Sequence, residues 1–404
     1  MKVNPIDKIL RDLVDKYFFE IALAVLVLVS VLIRIYLAKF RFNGEYISGD
    51  YQNYLRHWVE VYREKGLIEG LSRNVGDYYV PYNILLGIIG ILPVDDGLAI
   101  SFISCLGEYL GAFFAFKVLD LLIREKGGKA AGYSKRAAFS AVMLLFIPIC
   151  ILNGTIWKQC DGWYTSFIWM GLFFFFSKKY TRAFFLFSLA FVFKLQTLFF
   201  APFLVLAYLL FFDFSILEFL WFPGMYLLAG IPAILCGRPV IRTYLTYIKQ
   251  TDIYKMTIGF PNVYCLGLDS YEVMAKPAIL ITISVLIFIA CFAKAKVKNA
   301  DNKMLFLLAG FMDMTCVMFL PAMHERYDYA AIILITAYAL AFDIRMGVTA
   351  VLMIVCSMLN YGCYLFHGGE HLISYQAEAL LYLRGYLYGG YYIFARLGGS
   401  LAKK

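Results

Sequence analysis

The chain has 404 residues, of which 62% are hydrophobic and 16% are charged, and its formal net charge is +9. Soluble domains are about half apolar and about a quarter charged, so this composition excludes a soluble globular protein. Long apolar runs without period-two alternation predict membrane-spanning helices rather than a β-barrel. The sequence therefore predicts an all-α polytopic integral membrane protein.

The basic residues lie mostly in short loops between apolar runs, which is the positive-inside pattern and not a nucleic-acid-binding surface. The nine cysteines are scattered and form no CxxC motif, which favours buried apolar side chains over a disulfide framework or a zinc site. A basic stretch precedes the apolar run 18–37 and resembles a signal sequence. The run is long and lacks a small-residue cleavage site, which predicts an uncleaved first span.

The loop after this first span, over 48–78, is predicted to lie on the outer side. Within it, residues 51–68 place aromatic and polar side chains on opposite helical faces, which predicts an amphipathic helix in the membrane interface. The apolar run 83–92 is short and contains Gly87 and Gly90. Because the basic loop 124–136 should be inside, the run 83–92 is predicted to be a re-entrant or broken piece, with 98–122 as the inward span.

Further apolar runs then alternate across the membrane, and they predict about 11–13 spans in total. They lie at 137–152, 163–176, 183–197, 198–212, 216–236, 277–292, 305–320, 328–342, 348–366 and 379–394. A long outer loop rich in tyrosine is predicted over 237–276. The whole of 1–404 is thus predicted to be one transmembrane domain with both termini on the cytoplasmic side.

Several polar residues fall on the predicted outer side, whereas the basic loops collect on the other. They are Asp50, Asp77, Trp157, Lys158, Gln159, Asp161, Lys194, Gln196, Asn262, His324, Glu325 and Arg326. Ionisable residues at membrane depth are costly and usually mark a pathway or a site. The pattern predicts an outward-facing chamber at the membrane boundary, with substrate contacts from Asp77, Trp157, Lys158, Gln159, Gln196, Asn262 and Glu325.

Two carboxylates, Asp50 and Asp161, are the candidate catalytic residues. A carboxylate in a partly desolvated crevice has the raised basicity that a general base needs. Each of the two also precedes a predicted helix, so each could instead be a helix N-cap. Lys158 could simply neutralise Asp161.

Three cationic residues, Lys194, His324 and Arg326, are the candidate ligands of a phosphate. Lysine is a good point charge for an anion, although Lys194 in its apolar run could also snorkel towards the membrane surface. Arg326 can clamp a phosphate, His324 can donate to a leaving oxygen, and Glu325 can orient either of them. The alternative for this cluster is an interfacial group of salt bridges.

The order of these motifs resembles the GT-C class of polytopic glycosyltransferases, and specifically the bacterial and archaeal relatives of GPI mannosyltransferase II. The resemblance covers roughly 49–327 and rests on short motifs that are specific only in their joint order. They are Gly49-Asp50, Pro81-Tyr82, Trp157-Lys158-Gln159-Cys160-Asp161, Lys194-Leu195-Gln196, Pro261-Asn262-Val263-Tyr264 and His324-Glu325-Arg326-Tyr327. Three positions depart from the family pattern: Lys158 replaces a glycine, Tyr264 a tryptophan and Tyr82 a proline.

The resemblance implies inverting transfer of a monosaccharide from a polyprenyl-phosphate-sugar donor to an acceptor hydroxyl, in cell-surface glycan assembly at a bacterial plasma membrane. The acceptor would be a glycan or a lipid-linked molecule. Asp50 would be the base, and Lys194, His324 and Arg326 would bind the lipid phosphate. No P-loop, GxGxxG, GxSxG or HExxH motif occurs, so an outer-face donor would have to be lipid-borne. No cofactor is required, and a divalent metal stays open although no ligand spacing supports one.

Two other functions fit a polytopic protein of this composition. A transporter or lipid flippase predicts polar residues at mid-membrane on broken helices, often with an internal repeat, whereas these clusters sit at one rim. An inactive relative would bind the donor lipid without turnover. The sequence favours the enzyme.

Overall fold

The computed structural model describes residues 4–125, 132–211, 213–250, 254–366 and 368–401. Within these ranges the protein is almost entirely helical, and its one small sheet has two strands. The helices are α1 (Pro5–Ala38), α2 (Arg56–Ser72), α3 (Val80–Ile91), α4 (Asp96–Arg124), α5 (Lys135–Leu144), α6 (Pro148–Leu152), α7 (Asp161–Phe176), α8 (Tyr180–Phe193), α9 (Ala201–Phe211), α10 (Trp221–Leu235), α11 (Val240–Tyr244), α12 (Thr246–Gln250), α13 (Tyr271–Ala295), α14 (Asn302–Phe319), α15 (Tyr329–Ala341), α16 (Gly347–Phe366) and α17 (Tyr375–Leu397).

Short helical turns of other types extend several of these helices. Two π-helical turns lie at Tyr51–Leu55 and Asn153–Trp157, and 3₁₀ turns lie at Leu195–Phe200, Ile216–Leu220, Val263–Leu266, Val297–Asn299 and Ile344–Met346. Strand β1 (Thr257–Ile258) pairs in parallel with β2 (Met323–His324), with Ile258 opposite His324.

The prediction of an all-α integral membrane protein is confirmed at this level. Among the described residues, six helices are long and apolar enough to cross a membrane: Ile6–Ala38, Asp96–Arg124, Ile216–Leu235, Tyr271–Ala295, Asn302–Phe319 and Ile344–Phe366. A seventh crossing is possible if Lys135–Leu144 and Pro148–Trp157 form one span, and shorter apolar helices occur at Val80–Ile91, Tyr180–Phe193, Leu195–Phe211 and Tyr329–Ala341.

The spans differ greatly in how much of their surface the protein covers. The apolar window of α14 is 83% buried, whereas that of α1 is only 11% buried. Helix α14 is therefore the central element, packed against α15, α13 and the turn at Leu195–Phe200. Helix α1 keeps an apolar outer surface, which suits contact with lipid.

The predicted single run 137–152 is interrupted in the structure. Helices α5 and α6 are bent by 52° at a short break, and Ile147 before Pro148 is extended, with ψ 123°. The cause is local, because proline disfavours the helical conformation of the residue before it. The chain then continues as the π-helical turn to Trp157, which brings the motif at 157–161 into the interior.

The predicted boundary at 197/198 is also displaced. Helix α8 ends at Phe193, and Lys194 is extended with φ −154° and ψ 130°. The break therefore falls at the one charged residue of an apolar run, and the side chain leaves the helix line to reach a buried partner described below.

The first outer loop contains the predicted helix and holds it against α3. Gly90 on α3 packs so closely on α2 that an added Cβ would lie 2.9 Å from the Val59 carbonyl oxygen. Pro81 occupies the first turn of α3, where its missing N–H costs nothing. The segment 83–92 is thus a short helix paired with the amphipathic helix, and the glycines that interrupt its apolar run make this close packing possible.

Candidate functional site

A cavity of about 500 Å³ lies between the first outer loop and the chain segments near 157, 194, 248 and 325. Its walls bring together residues that are far apart in the sequence. They are Asp50, Tyr54, Leu55, Trp58, Asn74, Gly76, Asp77, Tyr78, Trp157, Gln159, Phe193, Lys194, Leu195, Gln196, Thr246, Tyr247, Lys249, Gln250, Ile258, His324, Glu325, Arg326, Tyr327 and Tyr364. Nine of the twelve predicted site residues are among them.

Asp50 is held at the cavity wall by donors from the 157–161 segment. Its Oδ2 accepts hydrogen bonds from Trp157 Nε1 at 2.9 Å and from Gln159 Nε2 at 2.7 Å. The carboxylate is 31% exposed, and only Oδ2 makes recorded hydrogen bonds within the described part of the chain. Oδ1 is therefore the oxygen available to a substrate.

The helix cap next to Asp50 is a different residue. Ser48 Oγ accepts a hydrogen bond from the Tyr51 backbone N–H at 3.1 Å and donates one to the Trp157 carbonyl oxygen at 2.9 Å. Asp50 itself has helical φ and ψ and makes no capping hydrogen bond. The N-cap alternative for Asp50 is therefore wrong, because Ser48 already meets that need of the helix.

Tyr78 fixes the orientation of the Gln159 amide. Its hydroxyl donates to Gln159 Oε1 at 2.7 Å, which leaves the amide N–H groups facing Asp50. Burial raises the pKa of the Tyr78 phenol well above its usual value, so the hydroxyl stays protonated and keeps donating. One buried phenol thereby determines how the base candidate is bonded.

Arg326 lies between three carboxylates. Its guanidinium is 3.5 Å from Asp50 Oδ2 and 3.9 Å from Asp161 Oδ2, and it donates to Glu325 Oε1. It also lies 5.4 Å from the ring centre of Trp157, a favourable cation–π arrangement. Burial works to lower the pKa of Arg326, but the charges of Glu325 and Asp50 outweigh it and raise the pKa well above its usual value.

Glu325 stays ionised although it is buried. Burial works to raise its pKa, but Arg326 and His324 outweigh burial and bring the pKa to about 2. His324 Nδ1 is 3.4 Å from Glu325 Oε2, and the imidazole is 27% exposed to the cavity. The 324–326 cluster therefore contains ion pairs and also faces an open cavity, and phosphate binding by it stays a prediction.

Asp161 lies behind the cavity wall and does not line it. It is 1% exposed, with Oδ1 2.5 Å from Lys194 Nζ and Oδ2 2.9 Å from Asn153 Nδ2. Lys194 is 5% exposed in this pair. Its side chain is therefore directed at Asp161 inside the protein and does not snorkel to the membrane surface. Asp161 is thus enclosed by its own partners and lies apart from the cavity, and its catalytic role stays a prediction.

Lys158 points away from the cavity, against the prediction that it contacts substrate. Its Nζ donates to Ser101 Oγ at 2.9 Å and to the Gly97 carbonyl oxygen at 3.1 Å, and it lies 3.8 Å from the ring centre of Tyr46. Burial outweighs the charges of Asp95 and Asp96 and lowers the pKa of Lys158 to about 7. Its backbone is left-handed, with φ 63°, a conformation that favours glycine. Lys158 therefore does not neutralise Asp161.

Asn262 also lies outside the cavity, and its role is to position the wall. Its Oδ1 accepts from the Tyr264 N–H at 3.1 Å, and its Nδ2 donates to the Met256 and Leu320 carbonyl oxygens at 3.4 Å. These bonds join the residue before β1 to the end of α14. Its polar atoms are bonded to the backbone and to the Cys265 thiol, and substrate contact by Asn262 stays a prediction.

The remaining predicted residues, Asp77 and Gln196, do line the cavity. The sequence interpretation missed other wall residues, chiefly Tyr78, Tyr247, Lys249, Gln250 and Tyr364. The tyrosine-rich loop 237–276 gave a signal for one of them, Tyr247, since α12 in that loop forms one wall. Gln250 donates to the Asp77 carbonyl oxygen and so joins the two outer loops.

No group of three or more histidine, cysteine, aspartate or glutamate side chains suited to a metal ion occurs among the described residues. Two carboxylates of the cavity wall, Asp50 and Glu325, instead have Arg326 as their partner.

Compared with known families and with curated proteins, the sequence matches no family model and no curated relative. Function therefore has to be argued from the site itself.

Proposed function

We propose that the chain is a membrane glycosyltransferase of GT-C-like fold that transfers a monosaccharide from a polyprenyl-phosphate-sugar to an acceptor hydroxyl on the extracytoplasmic face. The observation that carries this proposal is the bonding of Asp50. One of its oxygens is anchored by Trp157 and Gln159, and the carboxylate still faces a cavity large enough for a sugar and a phosphate. A positioned carboxylate of this kind suits a general base.

In the proposed reaction the acceptor oxygen attacks C1 of the sugar while its proton passes to Asp50 Oδ1. The bond from C1 to the phosphate oxygen breaks, and its electron pair leaves with the polyprenyl phosphate. Inversion at C1 follows from attack opposite the leaving group. The donors aimed at Asp50 hold it before the substrate arrives, so little reorganisation is needed at the moment of reaction.

In this proposal the main role of Arg326 is to position the base, and contact with the substrate is its second role. Its guanidinium bonds Glu325 and approaches Asp50, so it orients the base and balances the buried negative charge. Lys194 likewise balances the charge of Asp161. Phosphate binding by Lys194, Arg326 and His324 stays a prediction, and His324 is the member of the three with the largest exposed fraction.

The test is a transfer assay with purified protein in lipid nanodiscs, a radiolabelled polyprenyl-phosphate sugar and a panel of glycan and lipid-linked acceptors. We expect Asp50→Asn to lower transfer about 10²–10⁴-fold, since a general base contributes this much, without a change in thermal stability. Asp269→Asn is the matched control, because Asp269 is an exposed carboxylate outside the cavity.

Near-normal turnover in Asp50→Asn would contradict the assignment of the base. Movement of the labelled lipid across a liposome membrane without transfer would instead support a flippase.

A further inference from the structure

Most charged side chains in and behind the cavity wall form ion pairs with one another. Lys194 is paired with Asp161 at 2.5 Å, and Arg326 is shared among Glu325, Asp50 and Asp161. His324 lies beside Glu325. A phosphate that bound to Lys194 or Arg326 would have to compete with carboxylates that are already in place. The wall needs a different cation if it is to hold a phosphate without breaking these pairs.

Lys249 on α12 is such a cation. It lines the cavity and is exposed. Among the residues that the structure describes, no carboxylate forms a salt bridge with it, unlike Lys194 and Arg326. Its charge is therefore available to a ligand at the cavity mouth, and lysine binds phosphate well as a point charge.

The helical segment around Lys249 has two distinct faces. Helices α11 and α12 run on almost continuously, because Leu245 N–H donates to the Ile241 carbonyl and Lys249 N–H to the Leu245 carbonyl. Ile241, Leu245 and Ile248 follow the spacing of one helical face and are 73%, 37% and 61% exposed. This apolar face turns outwards, while Lys249 stands at the cavity.

The other face of the segment is anchored to the protein. Tyr247 is 6% exposed and donates to the Phe191 carbonyl oxygen at 2.7 Å, and Gln250 donates to the Asp77 carbonyl oxygen. Lys249 is therefore carried by a fixed helix between an exposed apolar surface and the polar cavity.

We propose that Lys249 binds the phosphate of the polyprenyl-phosphate donor and that Ile241, Leu245 and Ile248 receive the first part of its prenyl chain. The choice of this occupant rests on the proposed function. It fits the site in two respects, since a phosphate complements the lysine charge and an isoprenoid chain complements the apolar face. Lipids with a charged head and an apolar chain are held by such amphipathic surface helices.

The geometry of the proposed inverting displacement agrees with this placement. The proton acceptor lies about 2.6–3.2 Å from the attacking oxygen, which lies about 3–3.5 Å from C1, with the leaving oxygen beyond. The phosphate must then be on the far side of the sugar from Asp50. Arg326 approaches Asp50 at 3.5 Å and so belongs to the acceptor side, whereas Lys249 belongs to a separate wall on α12.

The experiment measures binding alone, with undecaprenyl phosphate as the probe and native mass spectrometry of the full chain in nanodiscs as the readout. We expect Lys249→Gln to weaken binding at least tenfold and Lys249→Arg to retain most of it. Lys255→Gln should bind as the wild type does, because Lys255 is an exposed lysine of the same loop that does not line the cavity. Undecaprenol, which lacks the phosphate, should not discriminate between Lys249→Gln and wild type.

A second arm separates the lipid from free phosphate. Ile241→Ser/Ile248→Ser should weaken undecaprenyl phosphate binding several-fold, and excess inorganic phosphate should fail to displace the lipid. Displacement by inorganic phosphate, with no effect of the serine variant, would overturn the prenyl-chain assignment.

Equal binding of undecaprenyl phosphate by Lys249→Gln and Lys255→Gln would overturn the role of Lys249. Binding that depends on Lys249 in a protein without transfer activity would support this inference and count against the glycosyltransferase. Loss of transfer in Asp50→Asn together with unchanged binding in Lys249→Gln would support the glycosyltransferase and overturn the role of Lys249.

Discussion

Neighbouring residues of the segment 157–161 face two environments, of which one contains a carboxylate partner and the other contains neutral partners. On the cavity side, Trp157 and Gln159 donate to the carboxylate of Asp50. On the opposite side, the partners of Lys158 among the described residues are neutral oxygen acceptors and the rings of Tyr46 and Tyr51. Lys194, a second buried lysine, meets a carboxylate at 2.5 Å. Two lysines that are both buried therefore differ in their partners, since one meets a carboxylate and the other meets neutral groups.

The largest effect is expected on the lysine that has a carboxylate partner. Lys194→Met leaves Asp161 buried with reduced compensation, which we expect to cost roughly 3–5 kcal/mol. Thermal unfolding of the purified protein checks this loss. Lys276→Met, at an exposed lysine of α13, is the control.

The double variant Lys194→Met/Asp161→Asn should recover part of the loss in stability, because no unpaired charge then stays buried. If the double variant is no more stable than the single one, the ion pair is not the source of the effect.

A smaller effect, on transfer and not on folding, is expected on the cavity side. Trp157→Phe removes the N–H that holds Asp50 but keeps a ring against Arg326 and Tyr361. A hydrogen bond to a charged group contributes about 1.5–3 kcal/mol, so transfer should fall about tenfold or more in the same assay.

Trp163→Phe is the matched control for this variant. The Trp163 indole donates to the Ile103 carbonyl oxygen at 2.9 Å, away from the cavity. Its loss should reduce stability and leave transfer unchanged. Equal transfer by both variants would show that the indole N–H of Trp157 does not position the base.

The smallest effect is a change in how stability depends on pH. Lys158 has a pKa of about 7 when folded and 10.5 as a free side chain. Between these values the unfolded chain holds a proton that the folded protein has released, so stability rises with pH across this window and is lowest below about pH 7. Lys158→Met should flatten the rise in apparent Tm between about pH 6 and pH 9 by roughly 2–4 °C.

The readout for Lys158→Met is the slope of the apparent Tm against pH. The Tm at any one pH is not used, because the variant also loses hydrogen bonds. Lys255→Met, at an exposed position, should keep the slope of the wild type. An unchanged slope in Lys158→Met would mean that the buried amine does not titrate in this window.

The helices were largely predictable because apolar runs of membrane length have few alternatives. The bend at Pro148 could have been anticipated from the proline rule, but its angle depends on packing. The choice of Ser48 over Asp50 as the cap was not predictable, since both residue types cap helices well.

The site was predictable in its members more than in its pairings. Asp50, Trp157 and Arg326 were expected on one side of the membrane, and the structure brings them into contact. Lys194 meets Asp161 across 33 positions, whereas Lys158 has a left-handed backbone and its side chain turns away from Asp161. Sequence spacing carries no sign of that backbone turn when the residue is not glycine.

The register of the small two-stranded sheet also determines which side chain of the long outer loop faces the cavity. Ile258 lies opposite His324 and lines the cavity, while Thr257 Oγ1 bonds the Phe260 carbonyl oxygen and lies 3.0 Å from the Tyr375 hydroxyl. Neighbouring strand residues point to opposite faces, so a slip by one position would present threonine to the cavity and isoleucine to the tyrosine. The register of this one strand pair thus decides which side chain of the loop faces the cavity.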